Sequence, residues 1–457
     1  MAATTVPTID ITDWLNRQRI SRLQILVLCL SGACALLEGF DAQNIGFVAP
    51  VLVHDWGLTR PAFAPAFMAG LFGLLIGCLA IAPLADRFGR KPVMLGSVIA
   101  FAVFSFLSAA TWSLTSLSVL RFLTGIGVGG GMANAIALTS EYFPERRRAA
   151  MTVTMFVGFP LGASLGGFLS AWLIPNFGWQ AVFIAGGVLP VLVALALAAL
   201  LPESIRHLVV HGSAPARIAA LLRRINPTAG IPHNAHFVIA EERKAGMPVG
   251  HLFREGRALG TVLIWIVFFM SLLDIYLVVS WLPIVLHDAG LTISMAVNVL
   301  AVLQLSGVVV CIALGPVLDR RGCFVVLLPA YLLAAIGIAA LGSANSVLMI
   351  MLTAALAGIG IVCGQNTANA FTAAYYPTYI RATGVGWALG IGRIGAVIGP
   401  GIGAVMLAMH LSRPVLFLVS AAPELVALAA LLVLMAVVRA NTARSTAGAP
   451  VAMSRAP

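Results

Sequence analysis

Apolar stretches of about twenty residues recur along the chain, each closed off by a short polar or charged loop. They fall at residues 21–48, 61–84, 92–111, 116–141, 149–174, 179–201, 258–282, 293–316, 323–342, 346–374, 382–408 and 414–438. A bilayer core about 30 Å thick is crossed by roughly 20 apolar residues of helix, so the pattern predicts twelve transmembrane helices. Six lie on each side of one long polar segment, 203–257. The pattern therefore divides the chain into a tail at 1–20, a six-helix bundle at 21–202, a linker at 203–257, a second bundle at 258–438 and a tail at 439–457.

The two halves repeat without a gap at an offset of 233 residues, since His54-Asp55 matches His287-Asp288 and Asp86-Arg87 matches Asp319-Arg320. Gly125 and Gly127 match Gly358 and Gly360, Tyr142 and Pro144 match Tyr375 and Pro377, and Arg148-Ala149 matches Arg381-Ala382. A duplicated bundle of this kind implies a site at the interface near mid-membrane and rocking of one half against the other. That is the architecture of a carrier.

Composition agrees, with 60% hydrophobic and 9% charged residues, far from soluble usage. The net charge of +11 does not point to nucleic acid, because the basic residues form no patch. Of the 27 Lys and Arg, Arg60 and Arg413 fall on one face and Arg121 and Arg393 inside spans; the remaining 23 fall on the linker face. Basic residues resist translocation, so the linker and both tails are expected in the cytoplasm of a bacterial inner-membrane protein. No removable signal sequence is evident at the N-terminus. The six cysteines have no metal spacing and read as small packing residues, and neither a metal nor another cofactor is expected. Two formal Gly-x-Gly-x-x-Gly matches, at Gly125 and Gly390, lie inside spans and read as close helix packing rather than a dinucleotide loop.

Between spans 2 and 3 the chain reads Leu84-Ala85-Asp86-Arg87-Phe88-Gly89-Arg90-Lys91, echoed between spans 8 and 9 by Gly315-Pro316-Val317-Leu318-Asp319-Arg320-Arg321-Gly322. This resembles the cytoplasmic loop motif of the major facilitator superfamily, with Ala82 and Cys323 as departures. Leu37-Glu38-Gly39-Phe40-Asp41, Arg381-Ala382-Thr383-Gly384 and Gly392-Arg393-Ile394-Gly395 look like the aromatic acid:proton symporter family within it. Glu38 and Gln43 are more similar to the hydroxyphenylpropionate carriers than to the hydroxybenzoate ones. Ala163 stands where drug antiporters of the superfamily carry a proline, which speaks against antiport. The resemblance implies an all-α major facilitator fold, alternating access, and proton-coupled uptake of an aromatic monocarboxylate of the hydroxyphenylpropionate, hydroxybenzoate or benzoate class. Another small organic acid, such as a dicarboxylate, is the alternative cargo. No constellation of nucleophile, base or metal points to an enzyme, and a monomer is the expected functional unit.

An ionisable group in the membrane is costly unless paired or wet, so each needs a reason. Glu38 and Asp41 lie three apart on one helical face, and Arg121 reaches a similar depth, which suggests a carboxylate pair facing one arginine. Asp274 is the repeat partner of Asp41, and Arg393 lies about 18 Å into its helix from Arg381. Glu38, Asp41 and Asp274 are the candidate proton carriers. Arg393 is the first candidate to grip a carboxylate in two places, with Arg121 second. A structural Arg393–Asp274 pair is the competing reading, as is a structural pair for Arg121, while Glu424 has no assigned role. Asn134, Gln365 and Tyr276, with Gln43, Gln304, Asn366 and Asn369, are candidates for polar or ring contacts, and interhelical hydrogen bonding is the competing reading of each. Phe156, Phe159, Trp281 and Trp387 are candidates for stacking. On the linker face Asp86 with Arg381 and Asp319 with Arg148 are expected to latch the bundles. Arg320 belongs to the same loop motif, and Glu141 is placed to hold Arg87 or Arg90.

Overall fold

A computed structural model of the protein describes residues 7–81, 83–232, 235–239, 248–254, 256–377 and 380–447. Ala82 lies outside the described residues, as do the side chains of Asp319 and Ala382. Among the described residues twelve helices are long and apolar enough to span a membrane: α1 (Arg22–Asp55), α2 (Arg60–Ile81), α3 (Arg90–Ser108), α4 (Leu114–Tyr142), α5 (Glu145–Phe177) and α6 (Gln180–Leu200) in the first half. The second half holds α7 (Ala258–Asp288), α8 (Ile293–Leu314), α9 (Phe324–Ser343), α10 (Val347–Tyr375), α11 (Thr383–Ala408) and α12 (Arg413–Ala440). The repeat is kept to the residue. Both ends of α4 and α10 differ by 233, as do the ends of α1 and α7 at Asp55 and Asp288.

Helix starts follow local chemistry. Ser21 and Gln24 form a reciprocal cap at α1, while Ser113 and Ser346 cap the repeat-related α4 and α10 through the third backbone N–H of each. The first span runs to Asp55 instead of stopping near residue 48, with Pro50 inside it. Its equivalent in α7, Pro283, has no N–H to give the carbonyl of Val279. That carbonyl faces Gly46 of α1, where a Cβ would lie 3.1 Å away, so glycine lets the two bundles meet at this level.

The apolar core reveals the conformation. At the end away from the linker one continuous core joins both bundles, with Phe47 and Phe67 packed alongside Trp281, Leu300 and Ile338. Toward the linker it splits into a first-half core and a second-half core that share no residue. The far end is further closed by Ser164 donating to the Ala301 carbonyl at 3.0 Å, Ser294 to the Ala171 carbonyl at 2.8 Å, and an Arg60–Asp288 ion pair at 2.8 Å. The interface is thus sealed on one side, while on the linker side the two apolar cores stay apart and the Glu145–Phe156 stretch of α5 still meets α10.

The linker is more structured than a polar tether. Its helices Ile205–Val210 and Pro215–Ile225 bury Ile205, Leu208, Ile218, Leu222 and Ile225 against the first bundle. Thr8–Asp10 of the N-terminal tail pairs in parallel with His236–Val238, carrying Ile11 and Leu15 into the same core.

Candidate functional site

Between the two bundles lies a cavity. Its walls come from both halves: Glu38, Phe156 and Phe159 on one side, and Leu272, Tyr276, Gln304, Gln365, Asn366, Asn369 and Arg393 on the other. Most of the lining is apolar, with one cation and one carboxylate close together.

Arg393 is the hub. Its Nη1 donates to the Cys78 sulfur at 2.7 Å, and its Nη2 lies 4.0 Å from Oε1 of Glu38. Cys78 in turn donates to the Gly129 carbonyl at 3.2 Å. It sits in a π-helical turn, Gly77–Ile81, where α2 widens. Nothing in the spacing signals this role, since a cysteine in an apolar span reads as packing; only the cross-bundle meeting makes it a partner. Glu38 Oε2 is buried with no hydrogen-bond partner, and the Arg393 contact is long. The guanidinium is therefore held in place from one side and lightly held from the other.

Glu38 and Asp41 do not share one arginine. Asp41 is bound by Arg121 through Nη1–Oδ1 at 2.8 Å and Nη2–Oδ2 at 2.7 Å, with a further bond from Nη2 to the Asp41 backbone carbonyl at 3.1 Å. Although the two acids are three residues apart, the helix directs one into the α1–α4 contact and the other across the interface. Arg121 and Asp41 are 2% and 3% exposed and border a separate, smaller void. Arg121 is not among the residues that line the cavity; its fork is taken up by Asp41.

Asp274 does not pair with Arg393 either. It is fully buried beside Glu424 of α12, while Arg393 reaches across to Cys78 of the first bundle. Asn134 bonds back to the Gly130 carbonyl in its own helix at 2.8 Å and is not among the cavity residues. Gln43 is likewise buried elsewhere. Trp281 donates to the Pro400 carbonyl at 2.9 Å, and Trp387 stacks on Trp265, so neither offers a face to the cavity.

On the linker side Asp86 pairs with Arg90 at 2.7 Å rather than with Arg381, and its side chain is 72% exposed. The separation of the two cores on this side explains this, since the expected partner belongs to the other half. Arg90 also reaches Glu141 at 3.3 Å, while Arg87 lies over the Phe88 ring. Ser204 donates to Glu141, and the Glu203 carboxylate accepts from the backbone N–H groups of Arg90 and Lys91, capping α3. Neither contact of the linker was foreseen. Arg148 is partly buried, Arg320 is exposed, and the Arg148–Asp319 latch involves a side chain outside the described residues.

A family model described as the Major Facilitator Superfamily matches residues 32–389. A gallate transporter of Pseudomonas putida is 42% identical over 429 residues, spanning 93% of this chain and 94% of that protein. A 4-hydroxybenzoate transporter of the same organism is 40% identical, spanning 88% and 90%, and a 3-(3-hydroxy-phenyl)propionate transporter of Escherichia coli is 34% identical, spanning 91% and 94%. Carriers of both the hydroxybenzoate and the hydroxyphenylpropionate kind thus stand among the relatives, in keeping with the aromatic acid transporters that the motifs resemble. Among solved structures, the xylose transporter XylE from E. coli superposes with a TM-score of 0.69 at 16% identity, covering 89% of this chain and 97% of that one.

Proposed function

Because the chain belongs to the major facilitator superfamily, whose members here are transporters and not enzymes, we propose that it carries an aromatic monocarboxylate into the bacterial cell together with protons, by alternating access. One observation carries the reading: a mostly apolar cavity with aromatic walls and a single guanidinium in its lining, Arg393, only loosely met by Glu38 at 4.0 Å. The ring of the cargo packs among Phe156, Phe159 and Leu272, and its carboxylate takes the open side of Arg393. Side-chain amides of Gln304, Gln365, Asn366 and Asn369 suit ring hydroxyls. The names of the relatives, carriers of gallate, 4-hydroxybenzoate and a hydroxyphenylpropionate, support that class.

Charge bookkeeping supports proton coupling. Without cargo, Glu38 and Arg393 balance each other. An arriving carboxylate leaves one excess negative charge in a poorly solvated space, which a proton on Glu38 removes. Loaded with anion and proton the site is neutral, so rocking carries no net charge through the apolar seal.

The excess of basic residues on the linker face supports a cytoplasmic linker and tails in the inner membrane, so the side where the two cores stay apart faces inward. Asp86, Arg381, Arg148 and Asp319 then become the latch that closes this side in the outward-facing state, while Arg60 and Asp288 hold the outer side in the present one. Each half supplies one wall of the cavity, which supports a monomer as the working unit. Uptake of a panel of labelled acids by cells expressing the protein tests the cargo class. Hydroxylated benzoates and phenylpropionates are expected to enter and to compete with one another; entry of short dicarboxylates alone would overturn the reading.

A further inference from the structure

The two halves treat their buried acids in opposite ways. In the first, Asp41 is neutralised by Arg121. At the offset of 233 the acid is retained as Asp274, but Arg121 is replaced by Ala354, which is fully buried on α10. The same register carries Pro190 to Pro423 and Val191 to Glu424. The second half has therefore lost the cation and gained a second acid.

Asp274 and Glu424 are 0% and 1% exposed, and their carboxyl groups lie within hydrogen-bonding reach of each other between α7 and α12. Both oxygens of Asp274 and Oε1 of Glu424 find no donor in the protein. No cation among the described residues stands beside them. Arg393 on α11 is turned to Cys78 and Glu38, Arg121 is occupied by Asp41, and Arg413 at the start of α12 donates to the carbonyls of Gly342 and Ala344. Two bare carboxylates cannot share such a space, whereas a carboxyl–carboxylate pair bridged by a proton can.

The pair also has a route to the cavity. Ser271, one turn before Asp274 on α7, donates to Gln365 Oε1 at 2.9 Å, and Gln365 lines the cavity. The hydroxyl of Tyr331 on α9, buried and without a partner, lies near both Ser271 and Glu424. Gln365 and Ser271 thus carry a polar link from the cavity toward the pair, with the Tyr331 hydroxyl beside it.

We propose that Asp274 and Glu424 form a second proton-binding site, separate from Glu38, in which one proton bridges the pair throughout and a second is taken up from the cavity side by way of Gln365 and Ser271. The proposal rests on the symport reading and extends it: the second proton brings the pair to neutrality while Glu38 answers the cargo.

The test is proton and substrate flux measured together in proteoliposomes, with 4-hydroxybenzoate as probe, for the parent, Glu424→Gln, Asp274→Asn and the double variant. Each variant is expected to lower the protons carried per substrate by about one while exchange of labelled for unlabelled substrate continues. A parent that couples, with variants that couple just as fully, defeats the pair's role and leaves symport standing. A parent that carries no proton defeats the symport reading itself. Should the variants fail to fold, infrared spectra decide. Purified Glu38→Gln protein is expected to show a protonated-carboxyl stretch at neutral pH that shifts in heavy water, and its absence overturns the proposal.

Discussion

Removing Arg121 should damage the protein through its fold before its transport. The Arg121→Ala change deletes three hydrogen bonds of 2.7, 2.8 and 3.1 Å and leaves the Asp41 carboxylate in a site only 3% exposed. Breaking one side of a buried ion pair costs about 3–5 kcal/mol, because the remaining charge keeps its desolvation penalty and loses its partner. Replacing both sides with apolar groups of similar size is often close to neutral. Arg121→Met with Asp41→Leu is therefore expected to be more stable than either single change, with a coupling near the top of the roughly 0.5–3 kcal/mol range for contacting residues. Thermal unfolding of detergent-purified protein, followed by a thiol dye that reports exposure of the buried Cys34 and Cys363, gives the four stabilities of the cycle. Losses that simply add would refute the reasoning. So would Asp41→Asn with unchanged stability and abolished proton coupling, which would return Asp41 to the proton path.

Arg393→Lys keeps the charge but loses the planar fork, and losing one charge-assisted hydrogen bond of about 1.5–3 kcal/mol predicts roughly ten- to hundred-fold weaker binding of an aromatic carboxylate, read by scintillation proximity. Glu38→Gln should continue to exchange substrate across the membrane but fail to accumulate it against a gradient, which counterflow and pH-driven uptake separate. Arg60→Ala removes a half-exposed pair of modest worth, roughly 0.2–1 kcal/mol, so outer-side accessibility to a thiol reagent should rise only a few-fold. A cysteine at Gly230 should react with an impermeant reagent only after cells are opened, and labelling in intact cells would invert the topology.

The helices were legible because lipid imposes one rule on every span, and the repeat was legible because it keeps register to the residue. Where two helices meet was not. Glu38 and Asp41 share a helical face by spacing, yet the small angular difference between them sends one to Arg121 and the other to Arg393. Cys78 looked like filler until α11 brought a guanidinium against it. The loss of Arg121 at Ala354 and the gain of Glu424 did lie in the sequence, at the offset that had already aligned Asp41 with Asp274. Its importance needed the structure, which puts Glu424 beside Asp274 and leaves both without a cation. The linker's docked helices escaped notice because its many arginines masked the apolar face of Ile218, Leu222 and Ile225.

Proton-coupled carriage of an aromatic carboxylate is tested most directly in sealed proteoliposomes, by following labelled 4-hydroxybenzoate and internal pH after an inward proton gradient is imposed. Accumulation above the external concentration, with substrate-dependent proton entry in step and the accumulation abolished once an uncoupler has collapsed the gradient, is the predicted result. Uptake that stops at equal concentrations and ignores the gradient would contradict the account.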